Sequence, residues 1–137
     1  MSIVGEEDLE LFNDSFQRCL CNHDFFKRFY ELFLGSSQEV RDKFVGTAFK
    51  QQICAVHASL VMTMLASTGN DAAHTYLDKI SERHSRLQMD IKPHLYELWL
   101  QALISAVREN DPLFSDRVEQ SWRQVMSYGI NYLVSKY

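Results

Sequence analysis

Leu77, Ile80 and His84 fall at spacings of three and four, so on a helix of about 3.6 residues per turn they share one face and the histidine closes an apolar stripe. Ile91, Pro93, Tyr96 and Trp99 follow soon after, at the head of a second apolar periodicity. A buried imidazole at a helix end, facing the start of another helix, suits an axial metal ligand. The commoner use of a lone histidine on an apolar face is a core position satisfied by a neighbouring hydrogen bond. The rest of the sequence decides between the two.

The elements that must position His84 are helical throughout, with no convincing strand alternation. Leu9, Phe12, Phe16 and Leu20 repeat at three and four, giving an amphipathic helix from about Glu6. Phe25, Phe26, Phe29, Tyr30 and Phe33 make a second, very aromatic one, which Gly35 is expected to end in a left-handed cap. Ser36 with Glu39 three residues later reads as a capping box for a short third helix ending near Phe44. From Ala48 a long helix carries Gln52, Ile53, Val56 and Leu60 on one side and ends at Gly69 and Asn70. The His84 helix follows from about Ala72, and Pro93 opens the next at its first turn. Beyond Asp111 and Pro112 a last helix carries Val118, Trp122, Val125, Gly129 and Leu133. Gly129 costs about 1 kcal/mol inside a helix, which a close helix crossing would explain.

At 137 residues and 46% hydrophobic, the chain suits one domain with one substantial core. Its formal charge is -4 and its basic residues are scattered, which argues against nucleic acid as a partner. The most apolar stretch, Ala55 to Ala66, falls short of the roughly 20 residues of a membrane span and is broken by His57, Ser59 and Thr63, so no membrane insertion is expected. The first residues run directly into Glu6, Glu7 and Asp8, unlike a signal peptide. Cys19, Cys21 and Cys54 have neither metal-finger nor disulfide spacing, and reduced thiols in a cytoplasm are the simplest account. Cys54 reads as a buried small hydrophobe, His23, His74 and His94 as solvent-facing residues at element starts, and His57 as pointing about 100° away from Val56.

RFYELFLGSSQEVRDKF, from Arg28 to Phe44, resembles the second and third helices of bacterial haemoglobins, and KISERH, from Lys79 to His84, resembles their proximal helix. The motifs occur in order over essentially the whole chain, which is identified as resembling the globin family, bacterial single-domain type. The resemblance implies an all-α, three-on-three helical sandwich of about seven helices around a haem pocket. It implies one haem b, with His84 as the proximal ligand to iron. Phe44 then stacks on the porphyrin, Tyr30 and Gln52 are the distal polar pair, and Val56 is an apolar wall. Ile91 packs on the haem beyond Ile80 and His84, Tyr96 is the aromatic beside the proximal site, and Arg83 is a propionate contact.

Such a site reversibly binds dioxygen or a related diatomic gas, nitric oxide or carbon monoxide. Dioxygen draws electron density from ferrous iron, so its outer oxygen accepts hydrogen bonds from the Tyr30 hydroxyl and the Gln52 amide. At about 1 to 1.5 kcal/mol each, the pair would slow oxygen release roughly tenfold to a hundredfold. Gln51 is an adjacent rival for Gln52. Two features depart from the family pattern. The loop after His84 is lengthened around Leu87 to Asp90, and Tyr137 falls where flavohaemoglobin-like members carry a glutamate beside the proximal tyrosine and histidine. The alternatives are therefore a nitric oxide dioxygenase or peroxidase-like enzyme dependent on a separate reductase, or a haem-free globin-like interaction module. Either way the chain is expected as a monomer or homodimer.

Overall fold

The computed structural model describes residues 4–137. Among them run seven helices, α1 (Glu6–Leu20), α2 (Phe25–Leu34), α3 (Gln38–Lys43), α4 (Phe49–Ala66), α5 (Asp71–His84), α6 (Pro93–Asn110) and α7 (Asp116–Ser135). No strand occurs among the described residues, and no helix is long and apolar enough to cross a membrane. α1, α4 and α5 form one layer and α2, α6 and α7 the other, with α1 crossing α7, α2 crossing α4, and both α4 and α5 resting on α7. This is the expected three-on-three arrangement.

Helix starts follow local chemistry. Ser37, Asn70 and Ser115 stand before α3, α5 and α7, and each side chain accepts a hydrogen bond from the backbone N–H three residues on. The α3 cap is thus Ser37, one residue later than the expected Ser36, whose hydroxyl instead donates back to the Phe33 carbonyl at 2.6 Å. Pro93 occupies the first turn of α6, where its missing N–H costs no helical bond. Gly35 ends α2 with φ -74, not in the left-handed form, because α3 begins almost at once and the chain keeps turning right-handed. Gly69, at φ +91, supplies the left-handed turn between α4 and α5.

The core is aromatic at one end. Phe12, Phe16 and Trp122 are fully buried, with the Phe12 and Trp122 rings 4.6 Å apart and edge-on, so α1 is pinned to α7. Beneath them Asp111, only 3% exposed, accepts from Ser15 Oγ at 2.6 Å and from Arg18 Nε at 2.6 Å and Nη2 at 3.0 Å. Trp122 Nε1 donates to Ser15 Oγ at 2.9 Å, which closes the network. The sequence had offered Asp111 only as a loop residue.

Gly129 marks where α7 meets α4. A Cβ added there would lie 2.7 Å from Thr63 Cγ2, a distance no real contact sustains. Gly129→Ala is expected to destabilise the fold by about 1 to 2 kcal/mol despite alanine's better helix propensity, because overpacking outweighs it. Urea unfolding checks this. Adding Thr63→Ala should restore most of the loss, and no recovery would place the strain elsewhere.

Candidate functional site

α2 to α7 enclose a cavity of about 320 Å³. All nine residues singled out from the sequence, His84, Phe44, Tyr30, Gln52, Val56, Ile80, Arg83, Ile91 and Tyr96, line it. They arrive from four helices and two loops, so only the tertiary fold brings them together.

His84 is the last residue of α5, and its carbonyl accepts from Ile91 N at 3.0 Å. That bond turns the chain back so that α6 starts beside the imidazole. His84 Nδ1 lies 3.0 Å from the Tyr96 hydroxyl, which leaves Nε2 without a protein partner among the described residues. Burial, helped by the nearby Arg83 charge, lowers the His84 pKa to about 4. The ring is therefore neutral at pH 7 and keeps a free lone pair. Burial also raises the Tyr96 phenol to about 12, so it stays protonated. Were Nε2 to hold a metal, Nδ1 would carry the proton and would donate to the Tyr96 oxygen.

Tyr30 enters from α2, 4% exposed, its phenol raised to about 12 by burial against a smaller opposing effect of the Gln52 hydrogen bond. Gln52 Nε2 donates to the Tyr30 oxygen at 3.1 Å. The Tyr30 proton itself reaches only the Gln52 carbonyl at 3.5 Å, at the limit of a hydrogen bond. A protonated donor with so weak a partner is free to turn to a ligand. Phe44 packs edge-on to Tyr30 at 5.8 Å and is stacked with Phe49 at 5.9 Å, which fixes the aromatic wall at the turn after α3. Val56 is buried one turn beyond Gln52 on α4, and Ile80 and Ile91 are half-buried. Arg83 is exposed, with no ion-pair partner among the described residues.

Gln51 is exposed and does not line the cavity, whereas Gln52 does. His57 packs against the rings of Phe16 and Phe26 at 5.6 and 5.4 Å, away from the cavity as expected. Cys54 is exposed, not buried. α4 is apolar nearly all round at Ile53, Cys54, Ala55 and Val56, so periodicity could not choose a face there. His74 is half-buried and paired with the Tyr128 hydroxyl at 2.6 Å, because α7 covers the start of α5, whereas His94 is exposed and meets Glu39 at 2.6 Å.

The sequence reading missed Lys43, Ser59, Thr63 and Tyr76 in the lining. Ser59 and Thr63 continue the helical face of Gln52 and Val56, so the signal was present. Tyr76 lies 3.3 Å from Ser59 Oγ, a pairing no spacing foretells.

The lengthened loop after His84 folds over the mouth. Asp90 adopts φ 51 and takes the Tyr137 hydroxyl on its carboxylate, while the Arg86 guanidinium lies 4.8 Å above the Tyr137 ring. Lys43 Nζ donates to the Met89 carbonyl at 2.8 Å, tying this loop to the end of α3.

No curated protein matches the chain. Among solved structures it is similar to protein PA3967 of Pseudomonas aeruginosa PAO1, described as structurally highly homologous to a human haemoglobin. The two are 34% identical over 95% of this chain and 98% of that one, with a TM-score of 0.91. The family model for globins matches residues 13–132. A match over most of the sequence, on seven helices folded in that arrangement, means that the chain belongs to the globin family.

Proposed function

We propose that this globin binds one haem b through His84 Nε2 and reversibly binds dioxygen or a related diatomic gas beside Tyr30 and Gln52. One observation carries the reading: His84 is neutral, is held at Nδ1 by Tyr96, and has its other nitrogen unpartnered in a cavity that also holds a protonated buried phenol.

The residues present fit the cofactor. The cavity falls within the about 300 to 1,000 Å³ usual for small-molecule sites. Its walls are mostly apolar and aromatic, as a porphyrin face requires, and Phe44, Val56, Ile80 and Ile91 would hold that face. Arg83 and Lys43 supply cations for the haem carboxylates. Ferrous haem, when bound, would supply an iron able to bind a diatomic gas. Tyr30 and Gln52 then donate to a polar diatomic and discriminate in favour of the more charged one.

Among the described residues no carboxylate hydrogen-bonds to His84 or Tyr96, and a neutral phenol is a poor acceptor for imidazole N–H. This favours gas binding over peroxide chemistry or nitric oxide dioxygenation, both of which gain from an electron-rich proximal ligand. The unpartnered Nε2 likewise favours a haem protein over a haem-free interaction module.

Absorption spectra of the purified protein, oxidised and reduced, test the reading. The ferrous form is expected to be largely five-coordinate, with a broad visible band, because neither Tyr30 nor Gln52 ligates ferrous iron well and His57 lies among phenylalanines. Split low-spin bands that vanish in His57→Ala would overturn the assignment of the distal face.

Tyr30→Phe is expected to raise the oxygen dissociation rate about tenfold while changing carbon monoxide release much less, since one donor worth about 1 to 1.5 kcal/mol is lost and the ring remains. Stopped-flow dissociation of both gases separates the causes. Equal shifts would mean that Tyr30 acts by shape alone.

A further inference from the structure

Five large hydrophobic side chains stand exposed among the described residues, and three of them gather at the cavity mouth. Val45, 82% exposed, follows Phe44 in the cavity wall; Leu87 and Met89, 90% and 49% exposed, sit on the loop after α5. The Lys43 hydrogen bond to Met89 brings the two segments together. Cations surround them. Residues 83–92 carry Arg83, Arg86 and Lys92 against Asp90, whose carboxylate is taken up by Tyr137. Residues 41–47 carry Arg41 and Lys43 against Asp42. The neighbouring acids are Glu82 and Glu39, the latter paired with His94. On a chain with 18 acidic and 14 basic residues, this is a locally basic, apolar island.

We propose that this surface docks an acidic one-electron carrier protein, an inference that rests on the haem reading. An apolar centre inside a charged rim is the anatomy of a protein interface, and the rim's sign selects the partner. Two copies of this chain would meet basic face to basic face, which disfavours self-association here. The apolar residues stand on two short turns, not on an amphipathic helix, which disfavours a lipid surface. Haem carboxylates would engage Arg83 and Lys43, leaving Arg86 and Lys92 for the partner. The location gives the contact its use, since Lys43, Arg83 and Met89 of this surface also line the cofactor cavity. With haem held as proposed, a reduced carrier docked here would be placed to pass one electron to ferric iron, the carrier becoming oxidised by one electron and the iron ferrous. No covalent bond changes and the surface moves no proton.

The test is amide chemical-shift mapping of the haem-loaded protein titrated with a small acidic flavodoxin in its oxidised form. Shifts are expected at residues 43–47 and 83–92, with affinity falling about tenfold or more as ionic strength rises from about 0.01 to about 0.15 M and the screening length shrinks from about 30 to about 8 Å. Arg86→Glu with Lys92→Glu should weaken binding about tenfold or more, and Leu87→Ser should weaken it too, whereas Leu113→Ser, which is remote from the mouth, should not. All variants should keep the parent haem spectrum. Failure of the parent to take up haem would sink the functional reading; the titration, repeated on the haem-free protein, then reports on the surface alone. No binding, shifts outside the two segments, or binding to phosphatidylglycerol vesicles but not to the flavodoxin would overturn the docking proposal.

Discussion

His84→Ala is expected to leave the protein helical and unable to retain haem. The ring contributes one hydrogen bond to Tyr96 and closes a half-buried position at the end of α5, so its removal costs the fold little. For the cofactor the change is far larger. Replacing a mere partner of a metal-bound histidine costs about tenfold to a hundredfold in affinity, and removing the ligand itself should exceed that. The cavity would still attract a porphyrin through its apolar walls, but nothing would fix the iron. Far-ultraviolet circular dichroism should match the parent, while the haem band is lost on gel filtration. Imidazole added in solution should restore a ligated spectrum, because the truncated side chain leaves room for it. A variant with the parent spectrum would end the assignment.

Asp111→Ala is expected to destabilise the fold by about 2 to 3 kcal/mol, with the haem spectrum of the folded fraction unchanged. Breaking a buried ion pair costs about 3 to 5 kcal/mol, and the partial exposure of Arg18 lowers that figure. Ser15 also loses its acceptor, and Ser15 is where Trp122 donates. Burial disfavours the Asp111 charge, but hydrogen bonds from Arg18, Ser15 and the Leu113 N–H outweigh it and hold the carboxyl below its ordinary value. With the folded pKa depressed, this stabilisation is present above the ordinary carboxylate range and is lost as pH falls through the lower folded value. Urea unfolding at neutral and acid pH should show the gap between parent and variant closing in acid. A constant gap would mean that packing, not charge, is what the variant loses.

The two variants separate what was readable in the sequence from what was not. His84, Tyr30 and Gln52 were legible because each sits on a helical face whose period is local, Phe44 because it ends the short third helix, and all four because their joint order matched a known family. Ser37, Asn70 and Ser115 are equally local devices, and the error of one residue at the α3 cap reflects two adjacent serines with equal claims. Asp111 was illegible. Its partners lie on α1, more than ninety residues away, and nothing in an Asp-Pro loop distinguishes a turn residue from a buried anion. The same holds for His74, which only α7 covers, and for the Tyr137 contact with Asp90, which needs the whole fold to bring α7 back to the loop. Cys54 failed differently, on a helix too apolar to reveal its outside.

The wall of the cavity has a history as well as a shape. Met126, Gly129, Ile130 and Leu133 of α7 complete it, and Tyr137 fastens the loop at its mouth. Chains are synthesised from the amino end, so His84, Tyr30 and Gln52 all leave the ribosome before the pocket they share has its last side. A nascent chain halted before α7 holds the ligand and both donors yet has no enclosed place for a cofactor. The proposed haem site is therefore complete only once α7 has left the ribosome and folded against the other helices.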